Sequence, residues 1–250
     1  MTDGEIKISK ITLWQGISGI MFVLLLISIF THGFGFGGET PTAAAPADTG
    51  DDAADEEADE EPAPKLTVDD VDLEGVPFMG DEDAEITMVI YDDFECPFCA
   101  RFEVQTFAKI KEEYIDTGKA KFYYKHFPLG FHSHAQIAAE ASECANDQGK
   151  FWEMHDMIFE NQPDLSEDKL KEWAEELELD MDEFNTCLNT NKHAEKVKLG
   201  MAEGQKVGVR GTPSVLLEDE LVVGALPFED VKQGDKTLKG YKTRIEEKLE

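Results

Sequence analysis

The feature that most constrains this chain is a close cysteine pair, Cys96-Pro97-Phe98-Cys99, lying between a strand-like run and a helical pattern. Glu85–Tyr91 (EITMVIY) is short, apolar and β-branched, which reads as a buried strand. After the pair, Phe98, Phe102, Phe107, Ile110 and Tyr114 recur near helical spacing, and Gly118 stops that helix. Ala120–Phe127 (AKFYYKHF) reads as a second strand, so the segment is a β-α-β unit. Cys96 would then sit at a helix N-terminus, where free N–H groups and the dipole favour a thiolate and lower its pKa. Pro97 suits the first helical turn, having no N–H to leave unpaired there. Cys99, one turn further in, is placed to attack a mixed disulfide formed on Cys96.

Half of a zinc site is the competing use of two such thiols, but it needs two more ligands at close spacing. No second CxxC or CxxH follows, and Cys144 and Cys187 each lie in an apolar helical stripe of their own. No metal is therefore expected, and no cofactor beyond a redox-active Cys96–Cys99 disulfide.

Further along, the pattern is helical over Ala135–Asp147, Phe151–Glu160, Ser166–Glu178 and Met181–Leu188, with a longer helix ending near Lys206. Ser166, followed by Lys169 and Leu170, is an N-cap candidate. Pro213–Leu217 and Leu221–Val223 read as a hairpin joined through Glu218-Asp219-Glu220, and Leu238–Leu249 as a last helix. Phe151, Trp152, Met154, Met157, Ile158 and Phe159 look like a core stripe. His126, His132 and His134 are split by the turn at Pro128–Phe131, so a metal set is the weaker reading, and His134 begins a helix.

The N-terminal quarter is of another kind. Ile11–Phe30 is twenty residues without a charge, long enough for a hydrocarbon core roughly 30 Å thick. Lys7 and Lys10 precede it and no base follows before Lys65, so the bias of positive charge puts the N-terminus in the cytoplasm and the rest outside. A cleaved signal peptide is the alternative, but Ala43-Ala44-Ala45 lies more than ten residues past the apolar run. Residues 33–65 are Gly-rich, then Thr/Ala/Pro-rich, then acidic, with almost nothing to bury, and read as an extended spacer. The expected organisation is a cytoplasmic N-terminus (1–10), a membrane anchor (11–32), a disordered acidic linker (33–65) and a folded domain (66–250).

Asp and Glu number 54 against 23 Lys and Arg, a formal charge of −31. Twelve acids and three bases precede residue 66, so the folded part still carries −22. Such a surface repels phosphates, which excludes nucleic acid as a partner. It is otherwise a solvated surface, or one adapted to high salt.

Asp92-Asp93-Phe94-Glu95-Cys96-Pro97-Phe98-Cys99 resembles the active-site segment of the DsbA-like branch of the thioredoxin superfamily. The likeness continues through Val76-Pro77-Phe78-Met79-Gly80-Asp81, Phe127-Pro128-Leu129, Ala138-Ala139-Glu140-Ala141 and Gly208-Val209-Arg210-Gly211-Thr212-Pro213-Ser214, covering roughly residues 70–232. It implies an α/β, thioredoxin-like fold with a helical insert over about residues 134–206. The activity it implies is thiol–disulfide exchange on secreted or cell-surface proteins with cysteines, with a membrane redox partner recycling the pair. Cys96 would be the nucleophile, Cys99 the resolving thiol, and Thr212-Pro213 a cis peptide against the pair where substrate backbone can lie. Isomerase or reductase activity is the alternative within that class, and a redox-inactive binding module the alternative outside it.

The chain departs from that pattern in three places. Phe98 stands where strongly oxidising relatives carry His, and offers the thiolate no charge. Ile90 stands six residues before Cys96, where thioredoxin-like proteins often bury an acid. Glu95 is expected to raise the Cys96 pKa. Cys144 shares a stripe with Ile137 and Ala141, and Cys187 with Phe184 and Leu188. In an oxidising compartment these two are expected to pair, with two buried free thiols as the alternative.

Overall fold

Seven consecutive buried residues, Ile86–Asp92, form the central strand (β2) of a five-stranded sheet in a computed structural model that describes residues 66–250. The expected anchor over 11–32 and linker over 33–65 lie outside the described residues. Among the described residues, no helix is long and apolar enough to cross a membrane.

The sheet order is β1-β3-β2-β4-β5, with β1 at Phe78–Gly80, β3 at Ala120–His126, β4 at Ser214–Leu217 and β5 at Glu220–Val223. β2 and β3 are parallel, running from Ile86↔Ala120 to Asp92↔His126, while β1, β4 and β5 pair antiparallel. Both faces of β2 are covered, which is why its sequence is a continuous apolar run rather than an alternating one. Met88 and Ile90 face one core with Phe102, Ile110, Tyr241 and Ile245, whereas Val89 and Tyr91 face the other with Phe127, Val209 and Leu216.

The helix after the cysteine pair starts as α1 (Pro97–Phe102) and does not run evenly to Gly118 as its spacing suggests. Two π-helical segments, Glu103–Phe107 and Lys111–Ile115, flank a short α-helical turn, Ala108–Ile110. The wider turns still bury Phe107, Ile110 and Tyr114, so the apolar periodicity survives. Gly118, at φ +74°, supplies the left-handed residue beyond the helix end.

The insert comprises α2 (Ala135–Asn146), α3 (Phe151–Glu160), α4 (Glu167–Glu176), α5 (Met181–Asn189) and α6 (Ala194–Lys206). Ser166 caps α4, its Oγ accepting the Lys169 N–H. Cys144 of α2 and Cys187 of α5 form a disulfide, with Cα atoms 5.8 Å apart. α6 returns across the other face of the sheet, where Gly204 lets it approach closely. A Cβ there would lie 2.8 Å from the Tyr91 ring.

Three sequence expectations need correction at the C-terminal side. Glu220 pairs with Leu217, so the hairpin turn is Glu218-Asp219 alone, and Glu218 takes φ +53° to close it. Leu238 belongs not to a helix but to an exposed hairpin, β6 (Val231–Gln233) with β7 (Lys236–Leu238). The last helix, α7, is Tyr241–Lys248, beginning after Gly240, whose N–H donates to Asp230.

Candidate active site

Cys96 is the N-cap residue of α1, in extended conformation, with Pro97 in the first helical turn. Its carbonyl accepts the N–H groups of Cys99 and Ala100. The Gln162 side chain, from the insert, donates to the carbonyls of Phe94 (2.8 Å) and Cys96 (3.0 Å), fixing the approach to the helix. No sequence pattern marked Gln162; it sits in a single 3-10 turn after α3.

The Cys96 thiol points at the loop before β4 and donates to the Thr212 carbonyl oxygen at 3.5 Å. The Thr212-Pro213 peptide is cis. Thr212 Oγ1 is buried with no other partner and is available to a thiolate on Cys96. The structure therefore brings Cys96, Cys99, Thr212 and Pro213 together. Cys144 and Cys187 stand apart from them in the insert.

The two thiols have opposite electrostatic environments. The Cys96 pKa is lowered to about 5, chiefly by a hydrogen bond from the Cys99 thiol; burial opposes this, and Thr212 with the Cys99 and Phe98 N–H groups adds to it. Glu95, expected to raise that pKa, is not among the leading influences. Its Oε2 accepts the His134 N–H at 2.6 Å and its Oε1 lies 3.6 Å from the His134 ring, so the carboxylate is turned toward the start of α2. Phe98 is 55% exposed and supplies no charge, although the Arg101 guanidinium lies 5.0 Å above its ring. Cys99 is fully buried, and burial, then its bond to the Cys96 thiolate, then the Asp92 charge, push its pKa far above the usual thiol range.

Asp92 is the residue that sequence reasoning missed. The position six before Cys96 is apolar, as read, but Asp92, four before it, ends β2 and is buried beneath the pair. Its Oδ1 accepts the Asp93 N–H at 2.8 Å, and the carboxyl also faces the Cys99 thiol. Burial, then the Glu103 charge, raise its pKa well above the carboxylate range. An acid in that state can exchange a proton with the buried thiol. Its signal in the sequence was a charged residue closing an otherwise unbroken apolar strand.

The three histidines do not converge on a metal site. His126 pairs with Glu143 at 3.2 Å, His132 with Asp93 at 2.7 Å, and His134 lies beside Glu95. Asp93 also accepts the Leu129 N–H, which pins the loop after β3 beside the cysteine pair.

Comparison with known proteins places this geometry. The thioredoxin family profile matches residues 72–234. The probable disulfide bond formation protein D of Bacillus anthracis is 34% identical over 64% of this chain and 77% of its own length. The Na(+)/H(+) antiporter NhaA 3 of Salinispora tropica is 37% identical over 136 residues, 54% of this chain, but the match spans only 20% of the antiporter. The crystal structure of oxidised BdbD from Bacillus subtilis aligns over 71% of this chain and 95% of its own, at 27% identity and a TM-score of 0.61. The chain belongs to the thioredoxin family, and its fold is of the DsbA type.

Proposed function

We propose that this chain is an extracytoplasmic thiol–disulfide oxidoreductase that forms or exchanges disulfides in secreted or cell-surface proteins. The observation that carries it is the split between the two thiols: Cys96 is a thiolate at neutral pH and Cys99 a buried, protonated thiol. A binding module needs neither state. In the oxidised protein a substrate thiolate attacks Cys96 Sγ, the Cys96–Cys99 bond breaks, and Cys99 leaves and is protonated. A second substrate thiol then displaces Cys96, whose stabilised thiolate is a good leaving group. Stabilising the reduced form favours oxidation of the substrate, in keeping with relatives named for disulfide bond formation.

Thr212-Pro213 serves as the substrate-side platform, where an extended peptide can pair with exposed backbone while its sulfur meets Cys96. Residues 11–32 anchor the protein, residues 33–65 hold the domain of residues 66–250 off the membrane, and residues 1–10 are cytoplasmic. A redox partner in the membrane returns the pair to the disulfide.

The test is oxidation of a reduced, unfolded protein by the oxidised full-length chain. One substrate disulfide is expected per chain, with none from Cys96→Ser. Failure of the wild type to consume substrate thiols overturns the assignment.

A further inference from the structure

A line of buried polar groups leads from Cys99 to the surface. Glu103 stands four residues after Cys99, one turn along the same helix face, and is 9% exposed. Its charge falls on Asp92. Its Oε1 is buried without a hydrogen-bond partner and lies 3.8 Å from His155 Nε2, which is likewise buried and unpartnered. The other ring nitrogen of His155 lies 2.9 Å from Asp156 Oδ1, and the Asp156 side chain is 69% exposed.

The remaining walls around His155 are the rings of Phe94, Tyr124, Phe151, Trp152 and Phe159. The titratable groups facing it are thus Asp92 from β2, Tyr124 from β3, Glu103 from the active-site helix and Asp156 from its own helix. Folded proteins seldom leave two buried polar atoms facing each other unpaired. Here a closing movement of less than about 1 Å would join them at ordinary hydrogen-bond length.

We propose that Glu103 and His155 relay protons between the Asp92–Cys99 pair and solvent at Asp156. The relay rests on the exchange chemistry proposed above and supplies what a buried thiol lacks, a route for its proton. During resolution of a mixed disulfide, the protonated Asp92 carboxyl takes the Cys99 proton on one oxygen as it gives up its own from the other, and the Cys99 sulfur attacks Cys96 Sγ. The Cys96–Cys99 bond forms and the partner sulfur leaves with the electron pair of the broken bond. The Glu103 carboxylate takes the proton that Asp92 gives up, and the charged His155 ring beside it releases its Nδ1 proton to Asp156 and water, so one proton reaches solvent for each one that Cys99 loses. When a substrate reduces the pair, Cys99 leaves as a thiolate and the protons move inward.

The His155 environment suits this use. Burial works against the charged ring, but the Glu103 charge and the Asp156 hydrogen bond outweigh it and hold the pKa at about 9. The ring therefore carries a proton at neutral pH that it can pass either way. Glu103 and His155 act through Asp92, so they are positioning and relay residues rather than groups that touch the reacting sulfurs.

The experiment uses the full chain carrying glutathione as a mixed disulfide on Cys96 and follows glutathione release, the step that Cys99 performs, across pH. His155→Gln and Glu103→Gln are expected to slow release about ten-fold at pH 7 and to raise its solvent deuterium isotope effect. The pH profile for alkylation of Cys96 should stay that of the wild type in His155→Gln. Asp156→Asn, a surface change that leaves the core intact, is expected to slow release about three-fold. Release at the wild-type rate and pH profile in folded His155→Gln, or in Asp156→Asn if the core variants do not fold, overturns the relay. No release from the wild type would instead overturn the exchange chemistry, and the relay with it.

Discussion

The Cys96 thiol lies 3.5 Å from the carbonyl oxygen of Thr212, a residue 116 positions later in the chain. The nucleophile and its proposed substrate platform are thus brought together by the pairing of β2 with β4, where Tyr91 stands opposite Ser214. With the Cys96 pKa at about 5 against an ordinary thiol value of 9.0, iodoacetamide should alkylate it with a midpoint near pH 5 while Cys99 stays unreactive. Because the folded pKa is depressed, Cys96 stabilises the reduced fold above the unfolded thiol's pKa. That contribution is lost as pH falls through about 5. Unfolding of reduced and oxidised protein, compared from pH 9 to pH 4, should show the difference narrowing or reversing in that window.

Serine substitutions separate the two thiols. Cys96→Ser should abolish exchange, and Cys99→Ser should accumulate mixed disulfides with substrate, since attack survives and resolution does not. Activity in the first variant without adducts in the second would reverse the assigned roles.

The potential should lie between the strongly oxidising and strongly reducing extremes, roughly −150 to −250 mV. Phe98→His should move it upward, since a ring N–H or imidazolium favours the Cys96 thiolate; 30 mV would correspond to about 1.4 kcal/mol. Equilibration against glutathione at fixed pH measures both proteins. A wild-type value near −120 mV, unmoved by the substitution, would show that the helix N-terminus and Thr212 set the poise instead.

Asp92 should be costly to stability and useful to rate. A carboxyl whose folded pKa is raised contributes stability below its unfolded pKa and loses it as pH rises through the folded value, so at neutral pH the charged form is disfavoured. Asp92→Asn should therefore raise the melting temperature of the reduced protein at pH 7 by a few degrees, for a change on the order of 1–3 kcal/mol. It should also slow Cys99-dependent resolution. A variant both less stable and equally fast would show that Asp92 is a structural group.

The insert disulfide closes a sequence separation of 43 residues. In the chain-entropy model a loop of that length is worth about 4 kcal/mol, so Cys144→Ala with Cys187→Ala should lower the melting temperature by roughly 8–16 °C. Exchange at the Cys96–Cys99 pair should persist below that temperature, and its loss there would tie the insert to the chemistry more closely than the geometry does.

The proposed topology makes the linker the accessible part of the chain. Protease added to right-side-out vesicles should cut between Gly33 and Pro64 and release an active domain. Protection of that segment from external protease would overturn the arrangement.

Much of the fold was legible because its signals were local. Pro97 beside Cys96 marked a helix start, and the apolar run before it marked a central strand. The three-residue strand at Phe78–Gly80 was recognised only as a motif, being too short to carry a period, and the exposed β6–β7 hairpin buries too little to stand out. The π-helical segments after Phe102 were invisible because Phe102, Phe107, Ile110 and Tyr114 still face the core, while Phe98, before those segments, is exposed. The site was harder to read wherever it depends on long-range approach. Gln162 reaches back 66 residues to the Cys96 carbonyl, and His155 sits within a stripe that reads as core and is core, apart from one ring nitrogen facing Glu103. Glu95 misled for a related reason: adjacency in sequence put its charge beside Cys96, while the fold turned it toward His134.

The Cys144–Cys187 bond gives this protein an ancestry problem. A newly made copy holds two thiols in α2 and α5 that must lose two electrons to form this bond, by the kind of reaction proposed for the Cys96–Cys99 pair. Under the proposed function each molecule is first a client and then an agent of the same chemistry, and the two electrons that leave its insert thiols pass through the Cys96–Cys99 pair of another copy to the partner that reoxidises it. Copies whose Cys96–Cys99 pair is oxidised can then complete new ones, so maturation should accelerate with the amount already made.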